Sequence, residues 1–166
     1  MCGNVDYGSV DDVEGDFAEG SAMTSTADNR GALFGSINGC SLDRVTLRGS
    51  MNFDSKSTGD CGGMMGMITY NATATNWRNL ATFSNGLSGE NVGGICGNFD
   101  GYGVTASNWL NAMSGDINGQ CSGGLIGYIR RRIVGISREQ HDRRYHKHVA
   151  VCCGRRGGVH TVKQYL

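Results

Sequence analysis

Apolar residues and glycines recur along this chain with a period of about 31 residues. A pattern of glycine, a small residue, two apolar residues and glycine occurs four times, starting at Gly31, Gly62, Gly93 and Gly123. A further apolar residue follows each closing glycine by two positions, namely Ile37, Ile68, Phe99 and Ile129. The glycines of the four copies are Gly31, Gly35, Gly62, Gly63, Gly66, Gly93, Gly94, Gly97, Gly123, Gly124 and Gly127. Self-similarity at a fixed spacing predicts a repeat architecture.

Each unit is predicted to contain two or three short strands. In the segment 42–47, apolar Val45 and Leu47 alternate with polar residues, which is typical of a half-buried strand. The segments 84–89 and 114–119 contain Asn-Gly and Ser-Gly steps, which supply the positive φ that a tight corner needs. We therefore expect strands joined by glycine and asparagine corners.

A 31-residue unit without a helical period cannot bury its own apolar face, so the units are expected to stack. The predicted fold class is all-β: a short β-solenoid of about four 31-residue coils over residues 1–129. Two inward ladders are expected, one of Leu33, Met64, Ile95 and Leu125 and one of Ile37, Ile68, Phe99 and Ile129. The glycines between these ladders, Gly35, Gly66, Gly97 and Gly127, should leave room where opposite walls come close. The pattern leaves open whether a bulge or a second layer buries the apolar residues of the other face, Phe34, Met65, Cys96 and Ile126.

The first residues also match the repeat. Met1-Cys2-Gly3-Asn4-Val5 aligns with Ile95-Cys96-Gly97-Asn98-Phe99, so the chain begins inside a repeat. Two explanations remain open. The first coil is either an atypical capping coil, or the chain is a fragment whose upstream coils and export signal are missing.

Composition and charge divide the chain into two parts. With 28 glycines and no proline among 166 residues, the sequence excludes collagen and Pro-rich linkers. No apolar run reaches the ~18–20 residues that a membrane helix requires, and no signal peptide is visible. The formal net charge of zero combines 13 acids and 5 bases in residues 1–129, a net of −8, with 10 bases and 2 acids in residues 130–166, a net of +8.

The basic segment 130–166 is expected to be a tail that is disordered and dispensable for the stability of the coils. Three explanations for it stay open: sequence translated in a shifted frame, a solvated extension, or a nucleic-acid-binding arm, which we regard as unlikely. A zinc site from His146, His148, Cys152 and Cys153 is disfavoured because the spacing fits no standard zinc finger.

The Gly-Gly-apolar-apolar-Gly signature resembles the GLUG motif, a short repeat of bacterial surface proteins, adhesin-like proteins and some secreted immunoglobulin A peptidases. The segment Gly123-Gly124-Leu125-Ile126-Gly127-Tyr128 carries the resemblance best, and Ala32 departs from it in place of the second glycine. The resemblance implies a β-solenoid segment of a cell-surface or secreted protein without catalytic residues of its own. Nothing in this chain corresponds to the metal-binding HExxH of those peptidases.

Few residues of the repeat region suggest chemistry. The acidic segment 11–19 is the one candidate for paired carboxylates or a cation, although a solvated acidic turn is the favoured interpretation. Trp77 and Trp109, flanked by Asn76 and Asn108, are candidates for an exposed aromatic ligand strip or, alternatively, for a buried ladder between adjacent coils. The cysteines are expected to be small buried core residues. We predict no catalytic residues, no metal ligands and no cofactor.

These observations favour a structural or adhesive repeat segment of a cell-surface or secreted protein. Its expected partners are neighbouring repeats of a longer chain, further copies of itself, or a host or matrix glycan or protein. The alternative is a carbohydrate-binding or carbohydrate-active β-helix domain that uses segment 11–19 and the Trp77/Trp109 strip. A weaker alternative is an ice-binding solenoid, suggested by Thr73-x-Thr75 and Thr105-x-Ser107, although the corresponding strand segment 42–47 of the coil at 31–61 offers only Thr46.

Overall fold

The computed structural model describes residues 2–24, 27–54 and 59–130, together with the short strands 136–137, 150–153 and 160–161. These residues form strands and no helix. The strands are β1 (Cys2–Thr24), β2 (Asn29–Gly31), β3 (Phe34–Asp54), β4 (Asp60–Gly62), β5 (Met65–Thr69), β6 (Thr73–Asn79), β7 (Thr82–Phe83), β8 (Leu87–Gly93), β9 (Cys96–Asp100), β10 (Thr105–Ser107), β11 (Leu110–Asn111), β12 (Ile117–Gly123), β13 (Ile126–Ile129), β14 (Ile136–Ser137), β15 (Ala150–Cys153) and β16 (His160–Thr161).

The strands stack as parallel coils, and each coil pairs with the same segment of the next coil. One column of paired residues runs through Val5, Ile37, Ile68, Phe99 and Ile129. Pairing at an offset of one repeat confirms the predicted β-solenoid of about four coils. The same column places Val5 in the position of Phe99, as the alignment of the first residues predicts.

Each coil passes through two sheets. The larger sheet has the order β14-β10-β6-β3-β5-β9-β13-β15-β16, with β1 and β7 paired to β3 and β11 paired to β6. The smaller sheet has the order β12-β8-β4-β2. The glycine pattern forms the bend from the smaller sheet to the larger one, since Ala32 and Leu33 lie between β2 and β3.

Both predicted ladders face the core. Leu33, Met64, Ile95 and Leu125 are buried, as are Ile37, Ile68 and Phe99, while Ile129 is partly buried against the same core. The question left open by the pattern is answered by the bend. Because the bend interrupts the strand alternation, the next residues also turn inward, and Phe34, Met65, Cys96 and Ile126 are buried. Neither a bulge nor a second layer is needed.

Two columns of glycine face each other beside this bend. A side-chain carbon placed on Gly62 would lie 2.8 Å from the nitrogen of Gly97, and one placed on Gly97 would lie 2.6 Å from the nitrogen of Cys61. Likewise, a carbon on Gly93 would lie 2.7 Å from the nitrogen of Gly127. The opposing walls therefore approach too closely for any side chain, which confirms the predicted role of these glycines.

A buried asparagine braces the bend in the later coils. Asn79 is fully buried; its Nδ2 donates to the Gly94 carbonyl at 2.6 Å, and its Oδ1 accepts from the Ala81 amide at 3.2 Å. Asn111 repeats the arrangement one coil further, with a 2.6 Å hydrogen bond from Nδ2 to the Gly124 carbonyl. These asparagines satisfy backbone groups that the solenoid interior would otherwise leave without a partner.

The second glycine of the pattern is matched to this asparagine. A side-chain carbon on Gly63 would overlap both the Gly94 carbonyl oxygen and Asn79 Nδ2, the two groups that the hydrogen bond from Asn79 joins. In the preceding coil the equivalent residues are Ala32 and Leu47, and Leu47 pairs in register with Asn79. The departure of Ala32 from the glycine pattern therefore coincides with the absence of the asparagine from its coil.

Cys40, Cys61 and Cys96 are buried, as predicted for the cysteines of the coils, whereas Cys121 is only partly buried. No helix among the described residues is long and apolar enough to cross a membrane.

In the segment 130–166, β14 pairs with β10 and β15 pairs with β13, both in parallel. Most of that segment, including His146, His148 and the side chains of Cys152 and Cys153, lies outside the described residues. The expectation of a disordered, dispensable tail stays a prediction.

Candidate ligand-binding surface

Trp77 and Trp109 lie inside the solenoid. They are 0% and 4% exposed, and their ring centroids are 6.1 Å apart. Phe34 packs on the first ring and Phe99 on the second, at 5.8 and 6.3 Å. The hypothesis of an exposed tryptophan strip is therefore wrong for both rings, and the alternative of a buried ladder between adjacent coils is confirmed.

The asparagine before each tryptophan explains this inward direction. Asn76 and Asn108 have φ of 58° and 55°, a left-handed conformation that asparagine tolerates better than most residues. The irregular step shifts the strand alternation, so the following tryptophan turns to the core. Both asparagines are exposed, and Asn108 Nδ2 donates to Asn76 Oδ1 at 3.1 Å. Contact of these amides with a ligand stays a prediction.

The acidic segment 11–19 lies on β1, and arginines of the next coil contact its carboxylates. Arg44 forms ion pairs with Asp11, Asp12 and Asp43, with 2.5 Å between its Nε and Asp12 Oδ1. In the same way, Arg48 Nε lies 2.7 Å from Glu14. The segment is thus a solvent-exposed part of a strand, with ion pairs between coils, rather than a turn.

The protonation of these carboxylates follows from the same contacts. The hydrogen bond from Arg44 lowers the pKa of Asp12, and hydrogen bonds from Thr75 and Asn76 lower the pKa of Asp43. Both groups are therefore held ionised, whereas a general acid needs a raised pKa to carry a proton near neutral pH. Within the part of the chain that the structure describes, no group of three or more His, Cys, Asp or Glu side chains could hold a metal ion.

The threonines that suggested ice binding lie in register but do not form a continuous array. Thr73 pairs with Thr105, and Thr75 pairs with Ser107. In the preceding coil, however, the residue paired with Thr75 is Asp43, which accepts a 2.6 Å hydrogen bond from the Thr75 hydroxyl. The expected Thr46 lies elsewhere, opposite Arg78. Carboxylates thus replace hydroxyls in one of the two rows.

A different aromatic row lies on the surface, at a corner of the larger sheet. Tyr7, Tyr70 and Tyr102 are 79%, 62% and 72% exposed and are the large apolar side chains that stand out of the described surface. They occupy the corner segments 7–8, 70–72 and 101–104, and Gly39 occupies the same corner in the coil between the first two. We call Tyr7, Tyr70 and Tyr102 the tyrosine ridge.

Backbone hydrogen bonds hold these corners side by side. The Gly39 amide donates to the Tyr70 carbonyl, and the Asn71 amide donates to the Tyr102 carbonyl, both at 2.8 Å. The Tyr7 ring reaches over the next coil, since a side-chain carbon on Gly39 would lie 2.8 Å from it. Gly39 therefore provides the space that the first ring of the ridge occupies.

Polar rows border the tyrosine ridge on both sides. The row before the corner consists of Asp6, Asn38, Thr69 and Asp100. The row after the corner consists of Ser9, Ser41, Thr73 and Thr105. Neighbouring side chains bond to each other, for example Asn38 Nδ2 to Asp6 Oδ1 at 3.2 Å and Thr105 to Thr73 at 3.1 Å between hydroxyls.

Sequence reasoning missed the ridge because its spacing is irregular. Tyr7 and Tyr70 are two coils apart, Gly39 interrupts the series, and the corner grows from two residues in the early coils to four in the segment 101–104. The available signal was an aromatic residue just before or beside a left-handed glycine or asparagine, which can be recognised only once the register is known.

No protein-family model matches this chain, and no curated protein sequence or solved structure matches it either. The resemblance to the GLUG motif is not tested by these comparisons and stays a prediction.

Proposed function

We propose that this chain is a non-catalytic repeat segment that acts as a stalk or a binding surface of a cell-surface or secreted protein. The observation that carries the proposal is where the recurrent residues lie. The repeated glycines, the apolar ladders, the buried Asn79 and the partly buried Asn111 all contribute to stacking the coils. The recurrent residues thus hold the coils in a stack, and stacks of this kind present extended surfaces.

The contacts of Asp12 in segment 11–19 support the same proposal over a carbohydrate-active enzyme. Glycoside hydrolysis with two carboxylates needs one of them to carry a proton. Asp12 instead has a lowered pKa and a hydrogen bond from Arg44. Its interactions resemble those of an inter-coil brace.

Antibodies against the folded chain test the proposed location when they are applied to intact and to permeabilised source cells. We expect labelling of intact cells or detection of the chain in the culture fluid. Labelling that requires permeabilisation would contradict the proposal. Incubation of the purified chain with polysaccharides should release no reducing ends, and release that disappears in an Asp12→Asn variant would instead support the enzyme.

A further inference from the structure

We propose that the tyrosine ridge is a binding site for a neutral polysaccharide that lies along the solenoid axis. This inference rests on the proposed function, because it names the class of ligand that an adhesive segment would bind. Its starting point is that the exposed tyrosines oppose the ordinary conformational and burial preferences of their side chains.

The backbone at the ridge is unfavourable for tyrosine. Tyr7 and Tyr70 have φ of 50° and 35°, in the left-handed region where bulky side chains are outliers. The rings remain 79% and 62% exposed, so burial returns little of that cost. Gly39 forms the equivalent corner with φ of 62°, which shows that the fold does not require an aromatic residue there. Strained, exposed residues that the fold does not need point to a function.

The spacing of the rings suits an extended polymer. Coils lie about 4.8 Å apart, so Tyr70 and Tyr102 are separated by roughly 5 Å along the stack and Tyr7 lies roughly 10 Å further on. Three exposed aromatic side chains thus lie at the same corner of the stack in different coils, whereas small ligands are usually enclosed in a cleft. A polymer that runs along the axis can contact all three rings at once.

The chemistry around the ridge favours carbohydrate. A sugar ring presents C–H groups on its faces, which stack on aromatic rings, and hydroxyl groups at its rim. Tyrosine offers an apolar face and a polar tip at little cost in conformational entropy. The bordering rows offer hydroxyl, amide and carboxylate groups at Thr73, Asn38 and Asp6 that can hydrogen-bond to the rim.

The charges at the ridge favour a neutral sugar polymer over an anionic one. The bordering rows contain the carboxylates of Asp6 and Asp100. The arginine described beside them, Arg130, lies 3.1 Å from Asp100 and is paired with it. A sulfated or uronic-acid polymer would therefore meet carboxylates of its own sign.

Affinity electrophoresis of the full chain tests the proposal. The gels contain a neutral polymer, namely an uncharged cellulose derivative, xylan, mannan or glycol chitin, and gels with heparin or hyaluronan serve as anionic comparisons. We expect retardation by at least one neutral polymer. The triple variant Tyr7→Asn, Tyr70→Asn, Tyr102→Asn should weaken that affinity about tenfold or more. The matched control is Tyr128→Asn, because Tyr128 lies on β13 away from the corner and pairs with Asn98.

Asparagine is chosen because it adopts left-handed φ readily. Because Tyr7 and Tyr70 have left-handed φ and Tyr102 does not, the double variant Tyr7→Asn, Tyr70→Asn should melt at or above the temperature of the parent chain, measured by circular dichroism. A lower melting temperature would contradict the strain argument. Absence of retardation by every neutral polymer, retardation by heparin or hyaluronan alone, or equal retardation of parent and triple variant would each overturn the proposal. So would binding confined to immobilised matrix proteins.

The proposed surface role and the proposed polysaccharide site can be refuted independently of each other. A chain that labels intact cells but binds no neutral polymer leaves the surface role standing and overturns the ridge. A chain that binds the polymer through the ridge but is found only inside cells overturns the surface role and leaves the ridge standing.

Discussion

Exchange of Gly63 and Asn79 for the residues of the preceding coil tests the matched packing at the bend. In Gly63→Ala the new methyl group would overlap the Gly94 carbonyl oxygen and the Asn79 amide, which donates to that carbonyl and accepts from the Ala81 amide. Displacing the amide leaves two buried backbone groups without partners, at about 1–3 kcal/mol each. The free energy of unfolding should therefore fall by about 2–6 kcal/mol, a large part of the 5–15 kcal/mol typical of a domain.

The double variant Gly63→Ala, Asn79→Leu should lose less than the sum of the single effects, because both changes break the same two hydrogen bonds, although the overlap with the Gly94 carbonyl oxygen remains. It recreates the pair Ala32 and Leu47 of the preceding coil. Asn79→Leu alone should cost about 2–6 kcal/mol because it removes two hydrogen bonds, at about 1–3 kcal/mol each. We expect the double variant to be more stable than the sum of the single effects by about 1–3 kcal/mol.

Urea unfolding followed by circular dichroism measures each variant, with linear extrapolation of the free energy to water. The mismatched pair Gly63→Ala, Asn111→Leu is the control, because Asn111 faces Gly94 instead of Gly63. Single effects of Gly63→Ala and Asn79→Leu that add to within about 0.5 kcal/mol would refute the matched packing. A mismatched pair with the same coupling would refute it as well.

Three further outcomes follow from burial and charge. Ile68→Asp should lower the free energy of unfolding, measured in urea, by about 3–5 kcal/mol because Ile68 is fully buried. Thr73→Asp on the outer face should lower it by less than about 1 kcal/mol, and equal losses would contradict the inward ladder. Since the folded pKa of Asp12 lies below its ordinary value of 3.8, its stabilising effect is present above that pH and is lost as the pH falls further. Arg44→Gln should therefore flatten the fall in melting temperature below about pH 4, and an unchanged acid profile would argue against the ion pairs. Burial raises the pKa of the Cys96 thiol, so this cysteine should react with a thiol reagent only when the chain unfolds. Peptide mapping of the labelled chain measures the reaction, and rapid labelling of Cys96 in the native chain would place it at the surface.

The sequence by itself determines the period, the parallel stacking and the inward ladders. In a solenoid, each coil pairs with a copy of itself, so the register is written directly into the repeat spacing. The glycines beside the bend are predictable for the same reason, because Gly66, Gly97 and Gly127 recur at the one place where the walls meet. Because the pattern recurs at a fixed spacing, it predicts contacts between residues one coil apart, and a single sequence seldom permits such long-range predictions.

Only the tertiary structure decides which side chains reach the surface. One left-handed residue, Asn76 or Asn108, reverses the alternation and turns a tryptophan inward. Corners of two to four residues shift the offset between coils from 31 to 32, and the shift brings Tyr70 and Tyr102 into line. These outcomes depend on the backbone conformation of single residues and on which residue lies beside them in the next coil. The hydrophobic pattern along the chain contains neither kind of information, because it shows only which residues of a strand are apolar.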